Sequence, residues 1–381
     1  MNWWTTFTLG ILAGGVLVFV LLLVFKEEQQ YEEEKRSPIS SVRTRERSIM
    51  SKAVSLRLAQ GPRIVAVGGG TGLSTLLSGL KAYTKNITAV VTVTDEGGSS
   101  GRLRSEWGML PPGDIRNCLV ALAENHDSLH KILNFRFDRG ELAGHSLGNL
   151  ILLAVTEMTG DFRLAVEELN KLLAMRGQVL PVTTEAITIV GKTKDGQTLR
   201  GELEITKRGS QLDAIWIEPR GAKAAKGVLE AIENADLIVL GPGSLFTSVL
   251  PNLLIEDVAA KMRSNNIAPK VYVANLMTQP GETDGLDIFA HLKWVEKTLG
   301  VLPEYVVINE GQIPNNHLLE YRKKGANPLR IDKSQLNFLK RKGANVIRGD
   351  FVLISEEGTI RHHPQKLAET IMKIAREIRE S

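Results

Sequence analysis

Cysteine is nearly absent from this chain: Cys118 is the single one in 381 residues. A lone cysteine excludes an internal disulfide framework and a cysteine zinc site, and it suits a reducing compartment. Cys118 reads as a small apolar filler in a helix. Aromatic residues are also few, at 5%, and the formal net charge is only +4. Nucleic-acid surfaces carry basic stripes interleaved with aromatics, so no nucleic-acid partner is expected. There is no internal repeat, and no low-complexity tract beyond one charged linker. The length suits two domains or one large α/β domain with a sizeable core.

Charge is missing altogether from residues 5–25, which are apolar for most of their length. About 20 such residues span a bilayer as a helix. Trp3 and Trp4 stand where an interfacial aromatic belt lies. No basic stretch precedes the segment and no small-residue cleavage site follows it, so an uncleaved anchor is expected rather than a signal peptide. Lys26, Lys35, Arg36, Arg43, Arg45 and Arg47 follow it. By the positive-inside rule this predicts a single-pass protein of the cell's inner membrane, with its body facing the cytoplasm. Gly10 and Gly14 form a GxxxG pair. It either packs two anchors into a homo-oligomer or is ordinary glycine in a membrane helix. Residues 26–60 read as a solvated charged linker. The expected organisation is an anchor at 1–25, a linker at 26–60 and an α/β domain at 61–381.

The body is organised around residues 63–74, RIVAVGGGTGLS. Residues 63–67 have the β-branched, apolar character of a buried parallel strand, and residues 73–81 have helical spacing. Gly68, Gly69, Gly70, Thr71 and Gly72 lie between them. A strand, a glycine turn and a helix can gather backbone N–H groups around a phosphate. No Gly-Lys-Ser/Thr follows, which excludes a Walker A loop, and strict GxGxxG fails at Leu73. A plain tight connection is the alternative. The pattern recurs at residues 235–240, an apolar strand followed by Gly241, Pro242, Gly243 and Ser244. Ser244, Thr247 and Ser248 would fall in the first turn of the next helix, able to bind an anion. Ligands of open α/β sheets sit outside the carboxyl ends of strands, so two such turns point to one anionic ligand between them.

Other strand ends carry polar residues. Residues 86–94 read as a strand ending in Asp95, at the distance from the glycines where an acid holds a ribose hydroxyl. A long Gly/Ser loop is expected next, with Ser99, Ser100, Arg102 and Arg104 available to a phosphate or sugar. Asp114 is a plausible N-cap before an apolar helix, and Arg116 and Asn117 share its turn. These serve a substrate or metal, or else Asp114 only caps and Arg116 only pairs with an acid. Residues 144–148, GHSLG, match the GxSxG elbow but lack the strand that must precede it, so serine hydrolysis is not expected. His145, Ser146 and Asn149 can still hydrogen-bond a ligand. Residues 185–205 alternate about Asp195-Gly196 and predict a β-hairpin insertion with no evident chemistry. Further strands are expected at 270–274, 305–308, 344–347 and 351–354. Tyr321 could stack on a base and Arg361 could reach a phosphate. The vicinal pair His362 and His363 lacks a partner for a metal.

Taken in order, VAVGGGTGLSTLLSGLK, TDEGGSSGRLR, PPGDIRN, GHSLGNL, GPGSLFTSVLPNLL and NLMTQPGETDG resemble the gluconeogenesis factor family, relatives of 2-phospho-L-lactate transferase. The resemblance runs from about Arg63 to the C-terminus. It implies a three-layer, Rossmann-like α/β fold with a mostly parallel sheet. It implies a cytoplasmic regulator of cell shape and wall synthesis, needed on gluconeogenic carbon, with wall-synthesis or signalling proteins as partners. Such proteins resemble binders of a UDP-sugar such as UDP-N-acetylglucosamine, with no established catalysis. On that footing the turns Gly69–Gly72 and Gly241–Gly243 would cradle the diphosphate, and Asp95 and Asn149 would orient hydroxyls. Arg361 would neutralise phosphate and Tyr321 would stack on uracil. The transferase alternative would place Mg²⁺ on Asp95 and Asp114. Glu96 stands where the family usually has a second Asp, and the anchor and linker are extra to the family core.

Overall fold

The computed structural model describes residues 53–380 apart from 125–126. Residues 60–381 form one compact unit, which carries the fold. Seven strands form one sheet in the order β10-β9-β8-β7-β1-β2-β3. They are β1 (Ile64–Gly68), β2 (Ile87–Val91), β3 (Gln178–Pro181), β7 (Leu237–Leu240), β8 (Lys270–Val273), β9 (Tyr305–Asn309) and β10 (Asn345–Gly349). Every neighbouring pair is parallel. Parallel sheets carry helices on both faces, so their central strands bury both sides. Accordingly β1, β2, β7 and β8 are buried at every residue. The expected mostly parallel, Rossmann-like α/β architecture is what forms.

The chain runs outward from β1 through β2 to β3, then returns to β7 and runs outward the other way. With right-handed crossovers, that reversal places successive helices on opposite faces. Helix Gly70–Leu80 packs against Gly113–Leu122 and Pro364–Glu380, while Glu256–Ser264 packs against Val228–Glu233 and Ile288–Leu299. The expected hairpin is present as β4 (Thr188–Thr193) and β5 (Thr198–Arg200), with β6 (Leu212–Glu218) completing an antiparallel sheet. A second hairpin pairs β11 (Val352–Ile354) with β12 (Ile360–His362). Cys118 is buried, and burial pushes its thiol pKa up, as suits an inert filler.

Two expectations need correction. Residues 98–107 are a helix, Gly98–Trp107, not a long loop. Ser99, Ser100 and Leu103 share its buried face, and Gly108 ends it in a left-handed conformation that glycine tolerates. Secondly, no helix among the described residues is long and apolar enough to cross a membrane. The longest of them, Pro364–Glu380, alternates apolar residues with Lys, Arg and Glu and buries one stripe, as a surface helix does. The segment at residues 5–25, its GxxxG pair and most of the linker lie outside the described residues. The single-pass membrane placement is therefore not supported and is withdrawn.

One packing constraint is open to test. A Cβ on Gly72 would lie 2.5 Å from the Pro242 carbonyl oxygen and 2.8 Å from its carbon, both backbone atoms that cannot swing aside. Gly72→Ala should destabilise the fold by about 2 kcal/mol or more in chemical denaturation. Gly221→Ala, where an added Cβ meets nothing within 4 Å, should stay within about 0.5 kcal/mol.

Candidate functional site

The strand order reverses between β1 and β7, and both glycine turns leave from these two strands. They meet at the switch point, where open α/β sheets form their ligand crevice. The Gly241 N–H donates to Val67 O at 2.8 Å, and a Cβ on Gly68 would lie 3.8 Å from Gly241 Cα. Two asparagines lock the arrangement. Asn252 Nδ2 donates to Gly68 O at 3.1 Å and to Ser248 O at 2.7 Å. Asn275 grips Gly243 at both ends: its Oδ1 accepts from the Gly243 N–H at 3.2 Å, and its Nδ2 donates to the Gly243 carbonyl at 2.8 Å.

A cavity of about 320 Å³ opens over this floor. Thr71, Gly72, Gly243, Ser244, Tyr321 and Arg361 all line it, so six residues singled out from the sequence come together. Lys324 joins them from the helix end beside Tyr321. The Tyr321 hydroxyl accepts from the Ile360 N–H at 3.0 Å, which fixes the ring against β12. The buried His362 imidazole is 3.2 Å from the Ala274 carbonyl through Nε2, and burial lowers its pKa to about 4. It stays neutral and ties β12 to β8's end. Neither Lys324 nor Arg361 has an ion pair among the described residues.

The second turn departs from expectation. Its helix begins as the short π-helical turn Leu245–Val249, and the buried Glu282 carboxylate accepts the Phe246 N–H at 2.8 Å. Burial raises Glu282 to a pKa of about 7. Ser244 Oγ donates to Gln279 Oε1 at 2.7 Å, and Thr247 is buried, its carbonyl accepting from Thr94 Oγ1. The anion seat expected from Ser244, Thr247 and Ser248 is thus filled by the protein's own carboxylate and amide.

On the other side of the first turn lies an acidic cluster. A Cβ on Gly69 would collide with Asp114 Oδ2, and one on Gly113 would lie 2.8 Å from Asp95 Oδ2. Asp114 does not cap its own helix: Pro112 holds the cap position, and the Asp114 carboxylate accepts from Gly70 at the start of helix Gly70–Leu80. Among the described residues Arg116 pairs with no acid; it donates to Asn134 Oδ1 at 2.7 Å. The hairpin insertion also brings an acid here. Glu202, first residue of helix Glu202–Arg208, accepts the Glu96 N–H at 2.7 Å and shares a hydrogen bond with Asp95. Burial, then the Asp95 charge, raises Asp114 to a pKa of about 7. Burial chiefly, with the charges of Asp95 and Asp114, raises Glu202 to about 8.

Ser99, Ser100 and Asn149 are buried behind this cluster. Asn149 Nδ2 donates to Ser99 Oγ at 3.0 Å, and Ser99 Oγ lies 2.9 Å from His145 Nδ1. Ser100 Oγ accepts from the Gly113 N–H at 3.1 Å. Arg102 donates to the Ala143 carbonyl at 2.6 Å and does not line the cavity. Ser146 is the N-cap of helix Leu147–Thr159, accepting from the Asn149 N–H. Asp95 and Asp114 are therefore brought close. Even so, among the described residues no group of three or more His, Cys, Asp or Glu is arranged to hold a metal ion.

Glu202, Asn252, Asn275, Gln279, Glu282 and Lys324 were not singled out from the sequence. Asn275, Gln279 and Glu282 stand in a polar, glycine-rich loop at the end of β8, which was a usable signal. Glu202 and Asn252 carry no local signal, because their partners lie 106 and 184 residues away.

The raised Asp114 pKa has a signed consequence. The folded state holds a proton that the unfolded chain releases above about pH 4, so this group's contribution to stability is lost as pH rises from there through about 7. Asp114→Asn, which retains the acceptor for Gly70, should flatten that part of the profile. Between about pH 5 and pH 8 the wild type should lose a few kcal/mol, on the order expected from linkage, relative to the variant in urea denaturation. Parallel profiles for the two proteins would contradict the assigned protonation.

Comparison with known proteins identifies the architecture. The family model described as 2-phospho-L-lactate transferase CofD matches residues 64–352. The gluconeogenesis factor of Bacillus subtilis is 40% identical over 322 residues, covering 84% of this chain and 100% of that protein. That of Halalkalibacterium halodurans is 42% identical over 312 residues, covering 81% and 95%. A crystal structure of a UPF0052 family member from Bacillus halodurans superposes with a TM-score of 0.77 at 43% identity, covering 81% of this chain and 98% of that one. The chain therefore belongs to the 2-phospho-L-lactate transferase CofD family, among its gluconeogenesis factors.

Proposed function

We propose that this protein is a nucleotide-sugar-binding regulator whose ligand is a UDP-sugar of the UDP-N-acetylglucosamine kind. Through it the protein adjusts cell shape and wall synthesis during growth on gluconeogenic carbon, acting on wall-synthesis or signalling partners. One observation carries the ligand reading. Two glycine turns meet at the switch point of a parallel sheet, under a cavity lined by the Tyr321 ring and by two cations that have no ion pair among the described residues. Backbone N–H groups at the start of helix Gly70–Leu80 suit a diphosphate. Arg361 and Lys324 supply the opposing charge, and the Tyr321 ring supplies a stacking face for a base. The second turn contributes shape rather than donors, because Glu282 occupies its helix start.

A transferase is the second reading. It is favoured by the cluster of Asp95, Asp114 and Glu202 beside the first turn, where two carboxyl groups keep protons near neutrality. Such groups could exchange protons with a substrate.

Calorimetric titration of the full chain with UDP-N-acetylglucosamine, followed by analysis of the recovered ligand, separates the two. A regulator binds and returns it intact; turnover on adding an acceptor alcohol would establish the transferase. Arg361→Ala and Tyr321→Ala should each weaken binding about tenfold or more, roughly 1.4 kcal/mol. Tyr321→Phe, which keeps the ring but loses the hydroxyl that holds it against β12, should weaken binding less than Tyr321→Ala does. Absence of binding to any UDP-sugar would remove the proposal.

A further inference from the structure

The two edges of the parallel sheet are treated differently. At β3 the edge is closed: Asn170 Nδ2 donates to the Val179 carbonyl at 3.0 Å, and Asn170 Oδ1 accepts the Val179 N–H at 3.1 Å. That side chain takes the place of a further strand. At the opposite end, among the described residues, β10 pairs with β9 alone. Among the described residues, no side chain bonds to its backbone from the outer side. Its sequence, NVIRG, contains no proline and one charge. Proteins usually blunt such an edge, because its unpaired N–H and C=O groups are a template for another strand.

A groove of about 580 Å³ runs along β10. Its apolar lining includes Val346, Ile347 and Ile374, and Lys340, Arg348 and Lys373 stand around it with a single acid, Glu377. Arg348 pairs with Glu310 at 2.8 Å and Lys373 reaches Glu377 only at 3.9 Å, while Lys340 has no ion pair among the described residues. The charge extends beyond the groove. Residues 321–349 carry nine Lys and Arg, all exposed, against one acid, Asp332. The whole chain has a net charge of only +4.

We propose that the β10 edge is a docking site for an extended acidic segment of a partner protein, which adds as an eighth strand. Backbone pairing supplies the register, alternate apolar side chains enter the groove, and alternate carboxylates meet Lys340, Arg348 and Lys373. A second copy of this chain fits poorly, since edge-to-edge pairing would set these cations against one another. Nucleic acid is also disfavoured: Tyr305 is the one aromatic lining the groove, and a single-strand channel stacks bases on several.

The test uses the full chain and a fluorescent peptide of alternating Glu and Val, followed by anisotropy. Binding is expected, weakening steeply as salt screens the groove. The Lys340→Glu/Arg348→Glu double variant should lose about tenfold or more in affinity, with an unchanged unfolding transition showing that it folds. N-methylation of alternate peptide amides should abolish binding in one register and spare it in the other. Hydrogen exchange should slow at residues 345–349 and not at the cavity loop 275–280. No binding by the peptide, indifference to N-methylation in both registers, or protection at the cavity instead would overturn the proposal. So would tighter binding of a single-stranded oligonucleotide at matched salt, or a dimer in sedimentation that the double variant dissolves.

Discussion

Everything at this site depends on two backbone turns touching without side chains between them. Gly72 and Pro242 come so close that a methyl group would not fit. Bringing polar backbone together in a buried place requires partners for each N–H and C=O. Asn252 and Asn275 provide them, the first from the helix after β7 and the second from the end of β8. Because the floor is made of backbone held at fixed separation, its shape cannot relax as a side-chain floor would. The walls come from farther along the chain. The loop 275–280 and the β11–β12 hairpin deliver Tyr321's partner Ile360 and the Arg361 guanidinium to the same cavity.

Much of this was legible because it is local. A β-branched run before a glycine cluster identifies β1 and β7, and the alternation about Asp195-Gly196 identifies β4 and β5. Arg361 and Tyr321 were legible as types, and the fold places both in the cavity. What escaped is either nonlocal or masked by composition. The stretch after Asp95 is so rich in Gly and Ser that it reads as loop; it is helical because Ser99 and Ser100 turn inward to hydrogen-bond His145, Asn149 and Gly113. The insertion after residue 185 reads as chemically inert, yet its helix carries Glu202 to Asp95. Ser244 and Thr247 have the residue types of an anion seat. Only the folded chain reveals that Glu282, 36 residues beyond Phe246, sits there first. Residue type defines what a turn can bind, whereas long-range packing decides what remains to be bound.

Both glycine turns start a helix with a protein carboxylate docked at it, Asp114 at the first and Glu282 at the second. A helix N-terminus by itself favours the ionised form. Both groups are nonetheless raised to about 7, since burial outweighs the backbone donors, and at Asp114 the Asp95 charge adds to it. The two seats differ in what surrounds them. Glu282 is fully enclosed and faces Phe246 and Ser244, so it serves the fold. Asp114 stands beside Gly69 and Gly70, at the very turn best placed to take an anion. An ionised Asp114 would repel a phosphate there, whereas a protonated one can donate to it. Below about pH 7 its elevated pKa would thus turn an electrostatic obstacle into a donor. The same holds for Glu202 beside it, raised to about 8. The pair Asp114 and Glu202 is thus held towards the protonated form chiefly by burial, and the hairpin insertion supplies one of the two carboxyl groups.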